Sequence, residues 1–205
     1  MRGRSKRRIR CRSTHFIFLS FVLSLHLKMQ VDFTKNHFEL FSLPQAFRIE
    51  MPRLDNAYRQ LQAQVHPDRF AAATGAEKRI SMQWATRTNE AYQTLKRPLS
   101  RARYLLSLRG VDTQEETNTA MPADFLMSQM EWREAVEDAR CKHDAPTLER
   151  LSAELRDTES DLLQQLEKHL ADNADLAAAA VAVRKLRFIE KLAEEIADAH
   201  EALEN

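Results

Sequence analysis

Apolar positions recur at helical spacing along most of the chain. Leu54, Tyr58, Leu61 and Val65 make one stripe, and Pro67 disfavours the helical region for His66, so this helix is predicted to stop there. A short loop leads to Thr74-Gly75-Ala76-Glu77, which has the form of a capping box. A second stripe follows at Ile80, Trp84, Ala91 and Leu95. Lys96-Arg97-Pro98 breaks it, and Pro98 suits the first turn of a further helix. That helix carries Leu99, Ala102, Leu105, Leu106 and Leu108, and Gly110 is its expected stop. Residues 111–121 lack periodicity and read as a linker.

Three more helical patterns fill residues 122–205. The first opens at Pro122 and Asp124 and runs to about Cys141. The second follows Asp144 and Pro146 with Leu148, Leu151, Leu155, Leu162, Leu166 and Leu170, and Asp172-Asn173 interrupts it. The third places Ala182, Leu186, Ile189, Ala193, Ile196 and Leu203 on one stripe. Short connections between such helices imply antiparallel neighbours and a three-helix bundle. With only three glycines and long stretches rich in Ala, Leu, Glu, Arg and Gln, the chain is predicted to be all-α.

The first bundle helix does not spend all its apolar residues on the core. At about 100° per residue, Phe125, Trp132, Val136 and Ala139 share a core face. Met127 and Met130 fall opposite it, with Glu134 and Asp138 between and beside them. Leu126 and Glu137 flank that side on one edge and Glu131 on the other. An apolar centre with an acidic rim has the composition of a partner-binding patch. In the last helix, Phe188 lies about 100° off the core stripe, with Leu192 one turn along on the same side.

Charge and cysteine content narrow the choices. The total charge is +1, but residues 1–28 hold eight Lys or Arg and no acid, leaving 23 basic and 30 acidic residues beyond them, a net of −7. An acidic body is a poor partner for a phosphate backbone, so nucleic acid is not expected. Cys11 and Cys141 are isolated and the histidines scattered, so neither a disulfide framework, a metal site nor a cofactor is expected. The basic arm precedes the apolar run 16–25, in the manner of an export signal, but offers no small-x-small cleavage site. The run is also short of the ~20 residues that span a bilayer. A transit peptide would spread its apolar residues along one stripe. The helical pattern begins a few residues after Met29, which favours a start there; a membrane anchor is the main rival.

His66-Pro67-Asp68 stands between the first two long helices. By itself it reads as a helix stop with an ordinary turn aspartate. An acid–base pair of His66 and Asp68 would need a Ser, Cys or metal cluster that the neighbouring sequence lacks. The placement of the tripeptide, together with Asn36-His37-Phe38-Glu39-Leu40-Phe41-Ser42-Leu43-Pro44 upstream and Asn89-Glu90-Ala91-Tyr92-Gln93-Thr94-Leu95 downstream, resembles the J domain. That resemblance implies a DnaK-type chaperone ATPase as partner.

A more specific resemblance rests on Arg101-Ala102-Arg103-Tyr104-Leu105-Leu106, Asp124-Phe125-Leu126-Met127 and Val183-Arg184-Lys185-Leu186-Arg187-Phe188. Over about residues 36–204 the chain resembles the HscB co-chaperones of iron–sulfur cluster assembly. The resemblance implies a J domain (30–110), a linker (111–121) and a three-helix bundle (122–205) that binds the scaffold IscU. It implies a non-enzymatic cytoplasmic bacterial protein that stimulates the chaperone HscA. The J motif maps onto His66, Pro67, Asp68 and Arg69, and scaffold binding onto Leu126, Met127, Met130, Glu131, Glu134, Asp138 and Phe188. Met130 stands where Leu is common, Asp138 where Glu is common and Arg69 where Lys is frequent; each keeps the chemical character. Before His66 the helix carries Arg59 but otherwise Gln60, Gln62 and Gln64, a weakly basic face. The alternative reading is a general J protein anchored through residues 16–27, with another client.

Overall fold

In the computed structural model, residues 34–65, 74–113, 121–171 and 175–204 are described. Among them are seven helices and no strand: α1 (His37–Leu40), α2 (Met51–Val65), α3 (Gly75–Lys96), α4 (Pro98–Leu108), α5 (Ala123–Lys142), α6 (Ala145–Leu170) and α7 (Leu176–Glu204). The all-α expectation holds. The arm, the apolar run 16–25 and Met29 lie outside the described residues, as do His66–Arg69, most of the expected linker, and Asp172-Asn173.

Local sequence sets most helix ends. Asn36 and Glu39 form a capping box at α1, and Thr74 and Glu77 form one at α3. These reciprocal hydrogen bonds satisfy amide groups that a helix start leaves without partners. Pro98 sits in the first turn of α4, and Gly110 follows it at φ +75°, a conformation that side chains with a Cβ resist. Asp144 caps α6 by accepting from the Thr147 amide at 3.2 Å. His143 closes α5 in the left-handed region.

Helices α2 and α3 form an antiparallel hairpin. The rings of Tyr58 and Tyr92 stack at 4.0 Å, Tyr58 donates to Asn89 and Tyr92 donates to Asp55. At the other end the Ser81 hydroxyl donates to the Val65 carbonyl at 2.8 Å. The buried stripe of α3 is Ser81, Trp84, Thr88, Ala91 and Leu95, whereas Ile80 is 39% exposed. Ile80 was expected in the core; the inner positions are instead taken by Ser81, whose hydroxyl reaches the Val65 carbonyl of α2, and by Thr88. Leu108, also expected inside, is exposed on the last turn of α4.

Arg101 ties this unit together. Its guanidinium is buried, donates to the Leu95 carbonyl at 2.6 Å, near the end of α3, and lies over Phe47. A cation there meets the negative end of the helix dipole. Helix α1 docks on α4 through the His37 amide, which donates to the Tyr104 hydroxyl, and through stacking of the two rings at 4.2 Å.

In the bundle, α6 and α7 pack along their length, α5 lies against both, and α4 packs on α6 and α7 from the other module. Helix α7 therefore buries more than one stripe: Ala179, Ala180, Ala182, Val183, Leu186, Ile189, Leu192, Ile196 and Ala199 are all inside. The single-stripe expectation is corrected at two positions. Leu192, read as off-core, is 1% exposed, and Ala193, read as core, faces solvent. Polar contacts fasten the same junction: Arg109 donates to the Leu170 carbonyl at 2.8 Å, Arg184 to the Thr113 carbonyl at 3.1 Å, and Arg48 pairs with Glu167 at 3.4 Å.

Glu190 is half-buried on α7. Burial raises its carboxyl above the ordinary glutamate value and the charge of Glu159 adds to this, while Arg103 of α4 and Arg97 just before it oppose it. A raised carboxyl pKa means that ionisation disfavours the fold, so the associated stability is present below the unfolded value and lost as pH rises through the folded one. Glu190→Gln is therefore expected to melt higher than wild type at pH 7, with the difference vanishing as pH falls below about 4, the ordinary glutamate value. Paired melting curves across that range check it; an unchanged or lower melting temperature at pH 7 contradicts it.

Candidate functional site

Two surfaces carry the candidate residues. The first is the junction of α2 and α3. His66, Pro67, Asp68 and Arg69 follow the last residue of α2 directly but lie outside the described residues. What frames them is well built. Val65 is buried and its carbonyl is held by Ser81, and the capping box of Thr74 fixes the start of α3. On the outer side of α2, Arg59, Gln60, Gln62 and Gln64 are exposed. Lys78, Arg79 and Met82 are exposed at the start of α3, with Met82 at 58%. The sequence reading passed over these three. Their signal was their position opposite Trp84 and Ala91 on the helical wheel.

The second surface is the outer side of α5. Phe125, Val136 and Ala139 are buried, and Trp132 is half-buried with its indole N–H donating to Glu154 at 2.8 Å. Trp132 thus borders the core rather than filling it. Opposite them Leu126, Met127 and Met130 are 41%, 64% and 73% exposed. Glu131, Glu134 and Asp138 are exposed on the same side. Asp138 holds Lys142 at 2.9 Å; this hydrogen bond, and then the Asp138 charge, raise the lysine pKa. Glu137 pairs with Arg140 at 2.9 Å. Both pairs link turns of one exposed helix and contribute little to stability. Three long apolar side chains held in water by a well-packed helix are a surface that a partner can dehydrate.

Phe188 reaches this region from α7. It is half-buried, its ring packs nearly perpendicular to that of Phe125 at 5.8 Å between centroids, and the Arg133 guanidinium lies 5.2 Å from its centroid. Arg133 also pairs with Glu195 at 3.8 Å. Phe188, read from the sequence as lying off the core, is therefore partly packed into it, and Arg133 is a neighbour that no helical wheel of a single helix contains. Among the described residues no group of three or more His, Cys, Asp or Glu side chains is placed to hold a metal ion. No described helix is long and apolar enough to cross a membrane.

Comparison with known proteins agrees with this layout. Residues 121–197 match the family model described as the HSCB C-terminal oligomerisation domain. Over 170 residues, the chain is 56% identical to the co-chaperone protein HscB homolog of Paraburkholderia phymatum, covering 83% of this chain and 97% of that one. It belongs to the HscB co-chaperone family. The chaperone HscB from Vibrio cholerae superposes with a TM-score of 0.74 at 38% identity, over 82% of this chain and 99% of that one. Human co-chaperone protein HscB does so with a TM-score of 0.77 at 30% identity, over 81% and 82%. The HscB fold, a helical J domain followed by a helical bundle, is thus shared along nearly the whole length of the bacterial relatives and most of the human one.

The burial pattern separates the candidate residues by their effect on folding. Leu126→Ala, Met127→Ala and Met130→Ala are each expected to change unfolding free energy by no more than about 0.5 kcal/mol. Phe188→Ala, which loses half-buried packing on Phe125, should cost about 1–2 kcal/mol, and Leu155→Ala, fully buried, about 2–5 kcal/mol. Urea denaturation measures all five. A loss of 2 kcal/mol at Met127 or Met130 would mean that this side of α5 is internal packing.

Proposed function

We propose that the protein is a non-enzymatic cytoplasmic adaptor that brings the iron–sulfur scaffold IscU to the DnaK-type chaperone HscA and stimulates its ATPase, promoting cluster maturation and transfer. The observation that carries this reading is the outer side of α5, where Leu126, Met127 and Met130 stand in water inside a rim of Glu131, Glu134 and Asp138. Such a patch gains affinity from apolar area buried at its centre, and its acids select a partner with complementary charge. The family to which the chain belongs is one of co-chaperones, and six of the seven residues that the HscB resemblance implies for scaffold binding lie on this helix. Residues 30–110 act as the J domain and 122–205 as the client-binding bundle.

A pairing of two copies through this patch is less favourable. A twofold interface places each surface against itself, so the exposed Glu131, Glu134 and Asp138 of both copies would be gathered into one acidic interface.

On the J module, Asp68 is the residue that engages the ATPase. A carboxylate directly after a proline is presented stiffly, and an arginine of the chaperone can take it in a charge-assisted pair. His66 and Pro67 fix the presentation, and Arg69 adds a cation beside it. With Gln60, Gln62 and Gln64 on α2, electrostatic steering toward an acidic chaperone is modest. Asp68→Asn is expected to abolish stimulation of HscA ATPase while leaving the melting temperature within about 2 °C of wild type, as for a surface change. Steady-state ATP hydrolysis beside a melting curve checks it, and retained stimulation by the folded variant contradicts the mechanism.

A further inference from the structure

The one aromatic side chain of the proposed client surface is covered. Phe188 packs against Phe125 with the two rings nearly perpendicular, and the Arg133 guanidinium lies 5.2 Å from its ring centroid. Arg133 is anchored a second time by Glu195 at 3.8 Å, and its side chain remains about half exposed. Both anchors come from α7, so the arginine reaches from α5 across to the neighbouring helix and covers the ring between them. An exposed cation–π contact and an exposed ion pair are each weak. Such a cover can open without disturbing the fold.

We infer that Arg133 is a gate on Phe188: it shields the ring from water in the free protein and must leave it for the client to bind. This rests on the client reading above. Phe188 offers the surface its largest flat apolar face, and the guanidinium occupies the space a partner would need. Arg133 is also a cation close to a patch whose acids favour a positively charged partner, so a seated client gives it a further reason to move. A site that is competent only part of the time binds more weakly by the competent fraction. If Phe188 is uncovered about a quarter of the time, the gate weakens binding about four-fold. The gain is that Phe188 is exposed only to a partner able to displace the arginine, which limits non-specific association.

The test is calorimetric titration of the full chain with purified scaffold protein IscU at fixed ionic strength, using wild type, Arg133→Gln, Phe188→Leu, the double variant and Met127→Ala. Leucine keeps an apolar side chain at 188 without the π face, so the variant folds even if alanine there does not. Arg133→Gln is expected to bind about three- to five-fold tighter than wild type, or about 0.6–1 kcal/mol. In the Phe188→Leu background the same change should have no effect. In the free protein the Arg133 side-chain Nε–H resonance should carry a ring-current shift that Phe188→Leu abolishes and that added scaffold also removes. Weaker binding by Arg133→Gln, equal tightening in both backgrounds, or a shift that survives scaffold binding overturns the gate. If Met127→Ala weakens binding while Arg133→Gln leaves it unchanged, the gate alone falls. If wild type does not bind, or Met127→Ala binds as tightly as wild type, the client reading falls and the gate with it.

Discussion

The arrangement depends on helix α7 having to be covered on more than one side. Val183, Leu186, Ile189, Leu192 and Ile196 are each no more than 1% exposed, and they do not fit on a single helical stripe. At about 25 cal/mol per Å² of apolar area, leaving one side of such a helix in water would cost several kcal/mol. Packing against α6 and α5 covers part of it, and α4 of the J module covers another part. The two modules are therefore not beads on a string. The same hydrophobic demand that completes the bundle also draws the J module onto it.

That demand leaves the outer side of α5 free. The helix already gives Phe125, Val136 and Ala139 to the core, so Leu126, Met127 and Met130 have no internal neighbour to seek. On the proposed reading the surface is stored in the free protein at little cost to folding, because its residues are ones the fold does not need. The J hairpin is built on a similar division. Tyr58, Tyr92, Asn89 and Asp55 lock α2 to α3 by specific polar and ring contacts, while the apolar stripe of α3 is interrupted by Ser81 and Thr88. The two helix ends that flank residues 66–73 in the chain are thus positioned by the hairpin's own contacts.

Much of this was legible in the sequence because helix ends follow local rules. The capping box at Thr74, Pro98 in the first turn of α4 and Gly110 past its end each sit where side-chain or backbone chemistry requires them. The two sides of α5 were legible as well, since that helix packs on one side only. The sequence reading failed where two elements share a decision. Ser81 is inside because its hydroxyl reaches the Val65 carbonyl of α2, and Thr88 is buried on the same stripe, which no hydropathy pattern expresses. Leu192 is inside because α7 has several neighbours, so a single-stripe wheel assigned its place to Ala193. Phe188 and Arg133 lie 55 residues apart, and only the folded bundle brings the guanidinium over the ring.

The central claim is that one protein body holds the client on α5 and acts on the chaperone through the J motif. Single-turnover ATP hydrolysis by HscA, with the co-chaperone held at a low concentration and scaffold IscU titrated in, tests this most directly. The account predicts that scaffold enhances hydrolysis with wild type. With Leu126, Met127 and Met130 all changed to Ala, that enhancement disappears while stimulation by excess co-chaperone alone is unchanged. Scaffold-dependent enhancement that survives the triple substitution would contradict it.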